Sequence, residues 1–295
     1  MNIVVTRTFL LIFSCLLTLC SSMAVAIDVV KLLGPQSGFD NKEAHKDAVI
    51  KRALEITIPE YGAYEIEKTS QSAVTGRALK MMQDGELVNL CIRIANEEWN
   101  QKTIPIKLPL RFGVNSYRLL LTNKVDLPKF ANIQTLEDLK KLRVGLGRDW
   151  TITNVFRVNG FQTVESSNFE GTFSMLAHRR FDYIPRGINE VFEELSKRKD
   201  NLDTVVIEPT LALELKLATY AYVAPNQPRL AKRLQSGLTM MLANGELRQL
   251  FNDYYLDEIK HAGMRNRKVI KIDNPLFVDS ELLDDPKFWL SPNEL

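Results

Sequence analysis

Strand-like and helix-like segments alternate along most of this chain of 295 residues. From Val88 to Ile94, apolar residues recur with a period of two, as in a half-buried strand. From Leu230 to Leu242, they recur every three or four positions, which is typical of a helix packed on one side. This alternation predicts an α/β fold with largely parallel strand pairing. The tail after Arg265 is polar and interrupted by prolines, and it is predicted to be irregular.

The first 26 residues have the pattern of a signal peptide. Arg7 is the only charged residue before Asp28, and an apolar segment runs from Phe9 to Leu19. That segment is as long as a signal-peptide core and shorter than the ~18 apolar residues of a membrane span. Small residues lead up to Ala26, so we expect cleavage after Ala26 and export of a soluble protein to the periplasm. An uncleaved signal anchor is the alternative.

Composition and motifs exclude several functions. Lys and Arg (38) nearly balance Asp and Glu (36), so no bulk charge attracts nucleic acid. Cleavage leaves one cysteine, Cys91, which cannot form an internal disulfide. The histidines lack metal-ligand spacing, and Trp150 stands at the third glycine position of a sequence, Gly145-x-Gly147, that resembles a dinucleotide fingerprint. We therefore expect no metal, no other cofactor and no catalytic constellation.

One candidate binding segment runs from Gly145 to Thr151, where a predicted strand ends in a glycine turn and a helix begins. Backbone N–H groups at the start of a helix bind anions, and Arg148 adds a guanidinium group. Arg148, Asp149 and Trp150 are therefore candidate ligand-binding residues. A plain turn with an exposed arginine is the alternative.

Two further segments supply candidates. The strand from Phe181 to Ile184 is predicted to end at Pro185, which places Arg186 just past its carboxyl end, where ligands bind in open α/β sheets. A structural salt bridge is the competing role for Arg186. Tyr117 and Arg118 begin a leucine-rich strand, where they either stack on and clamp a ligand or pack on the surface.

Four segments carry a resemblance to a known family: Ile104 to Leu110 (IPIKLPL), Thr135 to Gly147 (TLEDLKKLRVGLG), Gly171 to Asp182 (ending MLAHRRFD) and Leu230 to Phe251. With them, the chain from about residue 28 to 255 resembles the bacterial extracellular solute-binding proteins of polar amino acid ABC transporters. The resemblance implies a two-lobed periplasmic binding protein fold of type II, with two α/β lobes joined by two crossover strands.

The resemblance also implies how the chain is divided and what it meets. Lobe 1 is expected to comprise residues 27–121 plus 225–295, and lobe 2 residues 122–224, with hinges near Leu119–Asn123 and Tyr220–Ala224. A monomer would bind a small molecule between the lobes and present it to an inner-membrane ABC permease or to a membrane sensor.

The chain departs from the family where an α-amino acid is held. Members usually carry an arginine after the third strand for the carboxylate, but residues 95–100 (ANEEWN) contain none. Members also place an aspartate after the segment that ends here at Asp182, and this chain has Pro185-Arg186-Gly187 instead. Arg118, Arg148 and Arg186 favour an anionic or carbonyl-rich ligand.

Two other classes of function remain open. An enzyme on the same fold, such as a dehydratase of a cyclic acid, would need a general acid in the cleft, for which Glu67, Glu98 and Asp149 are the candidates. A lobe pair without a ligand would serve as a protein-interaction module.

Overall fold

The computed structural model describes residues 27–34, 41–70, 75–200, 202–277, 279–283, 285–291 and 293–295. The predicted signal peptide therefore lies outside the described residues. Within those ranges, no helix combines the length and the apolar character that a membrane span requires. The chain forms α/β layers, as predicted, but the strand pairing is mixed rather than largely parallel.

Strands and helices alternate in the structure nearly as the periodicity predicts. The strands are β1 (Asp28–Leu32), β2 (Tyr64–Lys68), β3 (Leu90–Ile94), β4 (Ile104–Ile106), β5 (Tyr117–Asn123), β6 (Arg143–Gly147), β7 (Gln162–Ser166), β8 (Tyr183–Gly187), β9 (Val205–Ile207), β10 (Leu211–Glu214), β11 (Thr219–Val223) and β12 (Lys268–Lys271). The helices are α1 (Asn41–Ile56), α2 (Ile58–Tyr61), α3 (Thr75–Asp84), α4 (Glu97–Lys102), α5 (Leu136–Lys140), α6 (Thr151–Val158), α7 (Phe169–Ala177), α8 (Val191–Ser196), α9 (Pro228–Ala243), α10 (Glu246–Ala262) and α11 (Ser280–Leu283).

Two small sheets belong to one side of the molecule. Strands β1 and β2 pair in parallel, and β11 lies between β3 and β4 with antiparallel pairing on both sides. Helix α9 packs closely on α1, because a Cβ atom on Gly237 would lie 2.2 Å from the carbonyl oxygen of Ala53. The absence of a side chain at Gly237 thus allows the two helix backbones to approach each other.

A larger sheet of seven strands forms the other side. Its order is β12-β10-β5-β8-β6-β7, and β9 also pairs with β5. The pair β6–β7 is parallel, whereas β5 runs antiparallel to β8 and β10. Strand β5 is buried along its whole length, and Leu119, Leu120 and Leu121 are fully inaccessible to solvent. The leucine-rich segment is therefore the central strand of this sheet.

Two of the crossings between the sheets lie in adjacent segments, because the chain leaves the small sheets after β4 and returns between β10 and β11. It crosses again after α10 to reach β12. The hydroxyl of Ser116 accepts a hydrogen bond from the backbone N–H of Leu217 at 3.0 Å, and Asn115 donates to the Thr219 hydroxyl at 3.2 Å. The two adjacent crossings lie N-terminal to the expected lobe limits at residues 121 and 224.

The C-terminal tail is more ordered than predicted. Strand β12 pairs in parallel with β10 and so extends the larger sheet. The sequence pattern that indicates β12 is short. Around this strand the buried residues are Ile270 and Ile272, which alternate with Lys271 in a charged segment. Further on, the backbone N–H of Leu290 donates to the carbonyl of Phe112 at 2.9 Å, beside the first crossing. The prediction of an irregular tail was wrong for β12.

The end of β8 also differs from its prediction. Pro185 and Arg186 lie inside the strand, paired with Leu120 and Leu119 of β5, rather than at and beyond its end. On its other side, β8 pairs with β6 only at Tyr183. Proline is tolerated in a strand where no neighbouring strand requires its missing N–H, which explains why Pro185 does not end β8.

One local prediction is confirmed atom by atom. The Thr135 hydroxyl accepts a hydrogen bond from the backbone N–H of Asp138 at 3.1 Å, and the Asp138 carboxylate accepts one from the backbone N–H of Thr135 at 3.0 Å. This is the reciprocal capping box that starts helix α5.

Candidate functional site

A cavity of about 720 Å³ lies between the small sheets and the larger sheet, with walls from both. Its described lining residues include ten basic and six acidic side chains. The basic residues are Lys42, Lys46, Arg77, Arg93, Arg111, Arg118, Arg148, Arg186, Lys197 and Arg198. The acidic residues are Glu43, Asp149, Glu170, Glu190, Glu193 and Glu194. The wall therefore carries an excess of positive charge, although the whole chain is nearly neutral.

Two strand-to-helix turns form the wall on the larger-sheet side. In the first, β6 ends at Gly147 and α6 begins at Thr151; in the second, β7 ends at Ser166 and Asn168 caps α7. The backbone N–H of Arg148 donates to the carbonyl of Ser166 at 2.8 Å and so joins the two turns. Both helices thus begin at the cavity, where their dipoles favour negative charge.

Arg186 is buried and is held by carboxylates of its own chain. Its Nε and Nη2 atoms lie 2.6 and 2.5 Å from the two carboxylate oxygens of Glu194, and Nη2 lies 2.9 Å from Glu190. Burial alone would lower its pKa, but these two carboxylates raise the pKa of Arg186 above its ordinary value. The guanidinium group also lies 4.5 Å from the ring centre of Trp150. These contacts favour the salt-bridge alternative over a ligand clamp.

Arg118 is buried beside Arg186 with fewer partners. Its Nη1 atom lies 3.4 Å from the carbonyl oxygen of Pro185 and 3.7 Å from the Glu190 carboxylate. Its Nε atom is buried without any hydrogen-bond partner among the described residues. Burial lowers the pKa of Arg118 to about 10, against the opposing effect of Glu190, so the group still carries its charge at neutral pH.

Arg111 presents a second incompletely bonded guanidinium group. It lies in the first crossing segment and donates from Nη2 to the backbone carbonyl of Lys42 at 2.9 Å. Its Nε atom, like that of Arg118, is buried without a hydrogen-bond partner in the described part of the chain. A buried donor without an acceptor costs about 1–3 kcal/mol, so two such donors on residues that line one cavity favour a ligand with acceptor atoms there.

The structure brings most of the predicted site residues together. Arg118, Arg148, Asp149, Trp150 and Arg186 all line this cavity, although their ligand binding remains a prediction. Arg148 and Asp149 are exposed, and Trp150 is half-buried.

Tyr117 does not line the cavity. Successive side chains of a strand point to opposite faces, so Tyr117 and Arg118 at the start of β5 do not share a site. Burial, together with the nearby Glu214, raises the pKa of Tyr117 to about 12. Tyr117 is thus placed away from the cavity that Arg118 lines, and its contact with a ligand stays a prediction.

Of the three general acids considered for an enzyme, only Asp149 lines the cavity. Glu67 is exposed on β2, and Glu98 is exposed on α4, where it pairs with Lys102 at 2.7 Å.

Sequence reasoning missed several cations of the site. Arg93 could have been found, because it lies in the strand β3 that the alternation of apolar and polar residues predicts. Arg111 follows the proline-containing segment before the first crossing, and Lys42 lies in the first turn of α1. Neither shows a periodicity or spacing that distinguishes it from an ordinary surface cation. Only the tertiary structure brings them to the cavity.

Comparison with known proteins gives a likeness in structure alone. No protein-family model matches the chain, and no curated protein matches its sequence. An arginine 3rd transport system periplasmic binding protein from Legionella pneumophila has a TM-score of 0.57 at 14% identity, over 78% of this chain and 100% of that one.

Two further solved structures show the same fold. An ancestral arginine-binding protein bound to arginine has a TM-score of 0.55 at 16% identity, over 77% of this chain and 98% of that one. A histidine kinase sensor domain with similarity to periplasmic binding proteins has a TM-score of 0.53 at 15% identity, over 78% of this chain and 96% of that one. This chain thus has the type II periplasmic binding protein fold that its sequence predicts, in a divergent form, with two α/β lobes joined by crossover strands and the cavity between them.

Proposed function

We propose that this protein is exported to the periplasm and binds a small anionic or carbonyl-rich solute between its lobes, for an ABC importer or a membrane sensor. The observation that carries the proposal is the pair of buried arginines Arg111 and Arg118, which both line the cavity and whose guanidinium groups each keep a buried Nε atom without a hydrogen-bond partner among the described residues. A carboxylate or phosphate group that reaches these guanidinium groups would supply the acceptor atoms that they lack, since charge-assisted hydrogen bonds of this kind are the strong ones.

The acidic side chains of the cavity support an anion over a zwitterion. At least five of the six described acidic residues form ion pairs with lysine or arginine, namely Glu43, Glu170, Glu190, Glu193 and Glu194. A ligand ammonium group would have to compete with those cations for a carboxylate. An ordinary α-amino acid therefore fits this cavity less well than an organic acid does.

Importer and sensor remain two versions of the same proposal. Solved structures of the same fold include a transport-system protein and a kinase sensor domain. Neighbouring genes separate the two, because an importer needs a permease and an ATPase, whereas a sensor needs a signalling enzyme such as a cyclase or kinase.

Native mass spectrometry of the protein purified from the periplasm tests the proposal directly. We expect a bound organic acid that is recovered chemically intact, and a mature chain that begins at Ile27. Conversion of that solute during incubation would favour an enzyme, with Asp149 as the general acid to substitute. A membrane-bound product that retains Met1 would contradict the export.

A ligand-independent measurement tests the charge of the cavity. Trp99 and Trp289 are buried, with 1% and 6% of their surfaces exposed, so fluorescence quenching by dissolved ions reports mainly on half-buried Trp150. Because iodide is intrinsically the better quencher, we expect the ratio of iodide to caesium quenching of Trp150 to exceed the ratio measured for free N-acetyltryptophanamide at equal ionic strength. A ratio equal to that of the free compound would contradict an anion-attracting cavity.

A further inference from the structure

Glu190 lies where cations of both lobes meet. It follows β8 and precedes α8, so it belongs to the lobe of the larger sheet. On that lobe its carboxylate lies 2.9 Å from Nη2 of Arg186 and 3.7 Å from Nη1 of Arg118, and it accepts a hydrogen bond from the backbone N–H of Gly187 at 2.9 Å. Glu190 therefore occupies a position among cavity cations that would suit the acid group of a solute.

The other lobe reaches the same carboxylate through Lys42. The ammonium group of Lys42, at the start of α1, lies 3.1 Å from Glu190 and 3.7 Å from Glu194. Only 11% of the Glu190 side chain and 27% of the Lys42 side chain are exposed, so solvent screens this ion pair much less than a surface pair. Arg111 fixes the backbone of Lys42 from the crossing segment.

A second contact joins the same two lobes. Phe192 of α8 stacks on His261 of α10, with ring centres 4.1 Å apart and planes within 6° of parallel. Helix α10 packs against α1, since Tyr255 of α10 contacts the His45 ring at 5.0 Å. Helix α8 contacts the α1–α10 pair through Phe192, and Glu190, the residue before the helix, contacts α1 through Lys42.

Resting on the proposed function, we propose that Glu190 determines specificity as a tethered acid group. Its carboxylate joins Lys42 of one lobe to Arg118 and Arg186 of the other, holds the lobes together without a solute, and competes with solute anions for these cations. Because Glu190 is part of the chain, its carboxylate always competes for these cations. A solute must then carry two or more negatively charged groups to bind tightly enough beside it. The cavity thus discriminates against single, weakly held anions.

Removing either charge of the bridge should open the lobes. Glu190→Gln and Lys42→Met each eliminate the ion pair, and Lys42 is exposed enough for its substitution to be tolerated. Glu98→Gln and Lys102→Met are the matched controls, because that pair lies within helix α4 and outside the cavity.

The distance between the two lobes is measured with a pair of spin labels in a Cys91→Ala background. The labels are attached at the exposed positions Leu87→Cys and Val158→Cys, one in each lobe. Any co-purified solute is first removed by dialysis in guanidinium and refolding.

Two quenchers of Trp150 fluorescence distinguish a change in local charge from a change in exposure caused by opening of the lobes. Acrylamide is neutral and reports exposure, whereas iodide reports exposure and local charge together. We expect Glu190→Gln to raise the iodide-to-acrylamide ratio severalfold, since a buried negative charge is removed near Trp150, and Lys42→Met to lower it. Both variants should lengthen the label distance, and neither control should.

Unchanged label distances in both bridge variants would overturn the proposal, and so would an iodide-to-acrylamide ratio that moves in the same direction in both. Neither measurement uses a solute. A failure here is therefore distinct from a failure of the proposed function, which appears as the absence of any bound organic acid in the native protein.

Discussion

A Cβ atom on Gly147 would lie 2.3 Å from Nε1 of Trp150. The indole ring thus fills the space that glycine leaves at the end of β6, and its face meets the guanidinium group of Arg186. A glycine followed three residues later by tryptophan therefore forms a packing unit at the cavity. It is not the phosphate-binding turn that the Gly145-x-Gly147 pattern resembles.

Gly147→Ala should displace Trp150 from this position. We expect a loss of about 1–3 kcal/mol in the free energy of unfolding, as for other overpacked sites, together with a change in Trp150 emission. Gly76→Ala is the control, because nothing lies within 4 Å of a Cβ atom at Gly76 in helix α3. Alanine there should be neutral or stabilising by about 0.4–1 kcal/mol. Emission and urea unfolding check both variants, and equal effects would contradict the packing role of Gly147.

Arg186→Met should destabilise the protein before any solute is added. Removing Arg186 leaves the buried Glu194 with only the ammonium group of Lys42, 3.7 Å away, and the loss of a buried ion-pair partner typically costs about 3–5 kcal/mol. Arg186→Lys should recover only part of this, since lysine cannot form the two-point contact. Thermal melts of the solute-free variants measure the effect. The double variant Arg186→Met/Glu194→Met should be more stable than Arg186→Met alone. An unchanged melt in Arg186→Met would restore Arg186 as a ligand clamp.

His45 should make stability depend on pH below the ordinary histidine range. It is buried among Phe251, Tyr254 and Tyr255, and burial, aided by the charge of Arg111, holds the pKa of His45 well below its usual 6.5. The folded state therefore excludes a proton that the unfolded state accepts.

The sign of the pH effect follows from this difference in protonation. Where the unfolded state binds more protons, stability rises with pH, so it should fall by up to about 1.4 kcal/mol per unit as the pH drops below about 6.5. His45→Phe should remove this slope. Urea unfolding between pH 5 and 8 tests it, with His178→Gln as the exposed control. A slope retained in His45→Phe would assign the effect to other groups.

Trp289→Ala should weaken the attachment of the C-terminal tail. Its indole packs against Gly113 and Phe277, and its Nε1–H donates to the carbonyl of Leu282 at 2.7 Å. Truncating a buried aromatic side chain typically costs about 3–5 kcal/mol. Lys216→Met, which removes the half-buried cation above the same ring, should change the unfolding free energy by less than about 1 kcal/mol. Faster proteolysis of the tail in Trp289→Ala alone would support this attachment.

Local patterns predicted the elements well because local chemistry determines them. The alternation of β3, the helical stripe of α9 and the capping box at Thr135 each depend on residues a few positions apart. The same rules failed where a distant partner decides. Pro185 stays within β8 because no strand lies beyond Tyr183 on one side, and β12 forms because β10 offers an edge.

The site was predicted only in part for the same reason. The turn at residues 148–150 could be located, since a strand end, a glycine and a helix start are adjacent in sequence. The guanidinium group of Arg186 binds the carboxylate of Glu194. This ion pair depends on how α8 packs after β8, and no spacing of residues in the sequence reveals that packing. The contribution of Lys42 and Arg111 depends on the approach of two lobes built from separate parts of the chain.

Strand β12 gives the larger sheet a strand that is synthesised long after the rest of that sheet. Until it emerges, β10 has an open edge, and open edges of this kind invite pairing with other chains. A gene fragment that encodes only Tyr117 to Glu214 would therefore produce a lobe in which the edge of β10 that binds β12 is exposed. To express this lobe alone, the coding sequence of β12 must be added after that of β10 through a linker of about a dozen residues or more, because the two strands pair in parallel.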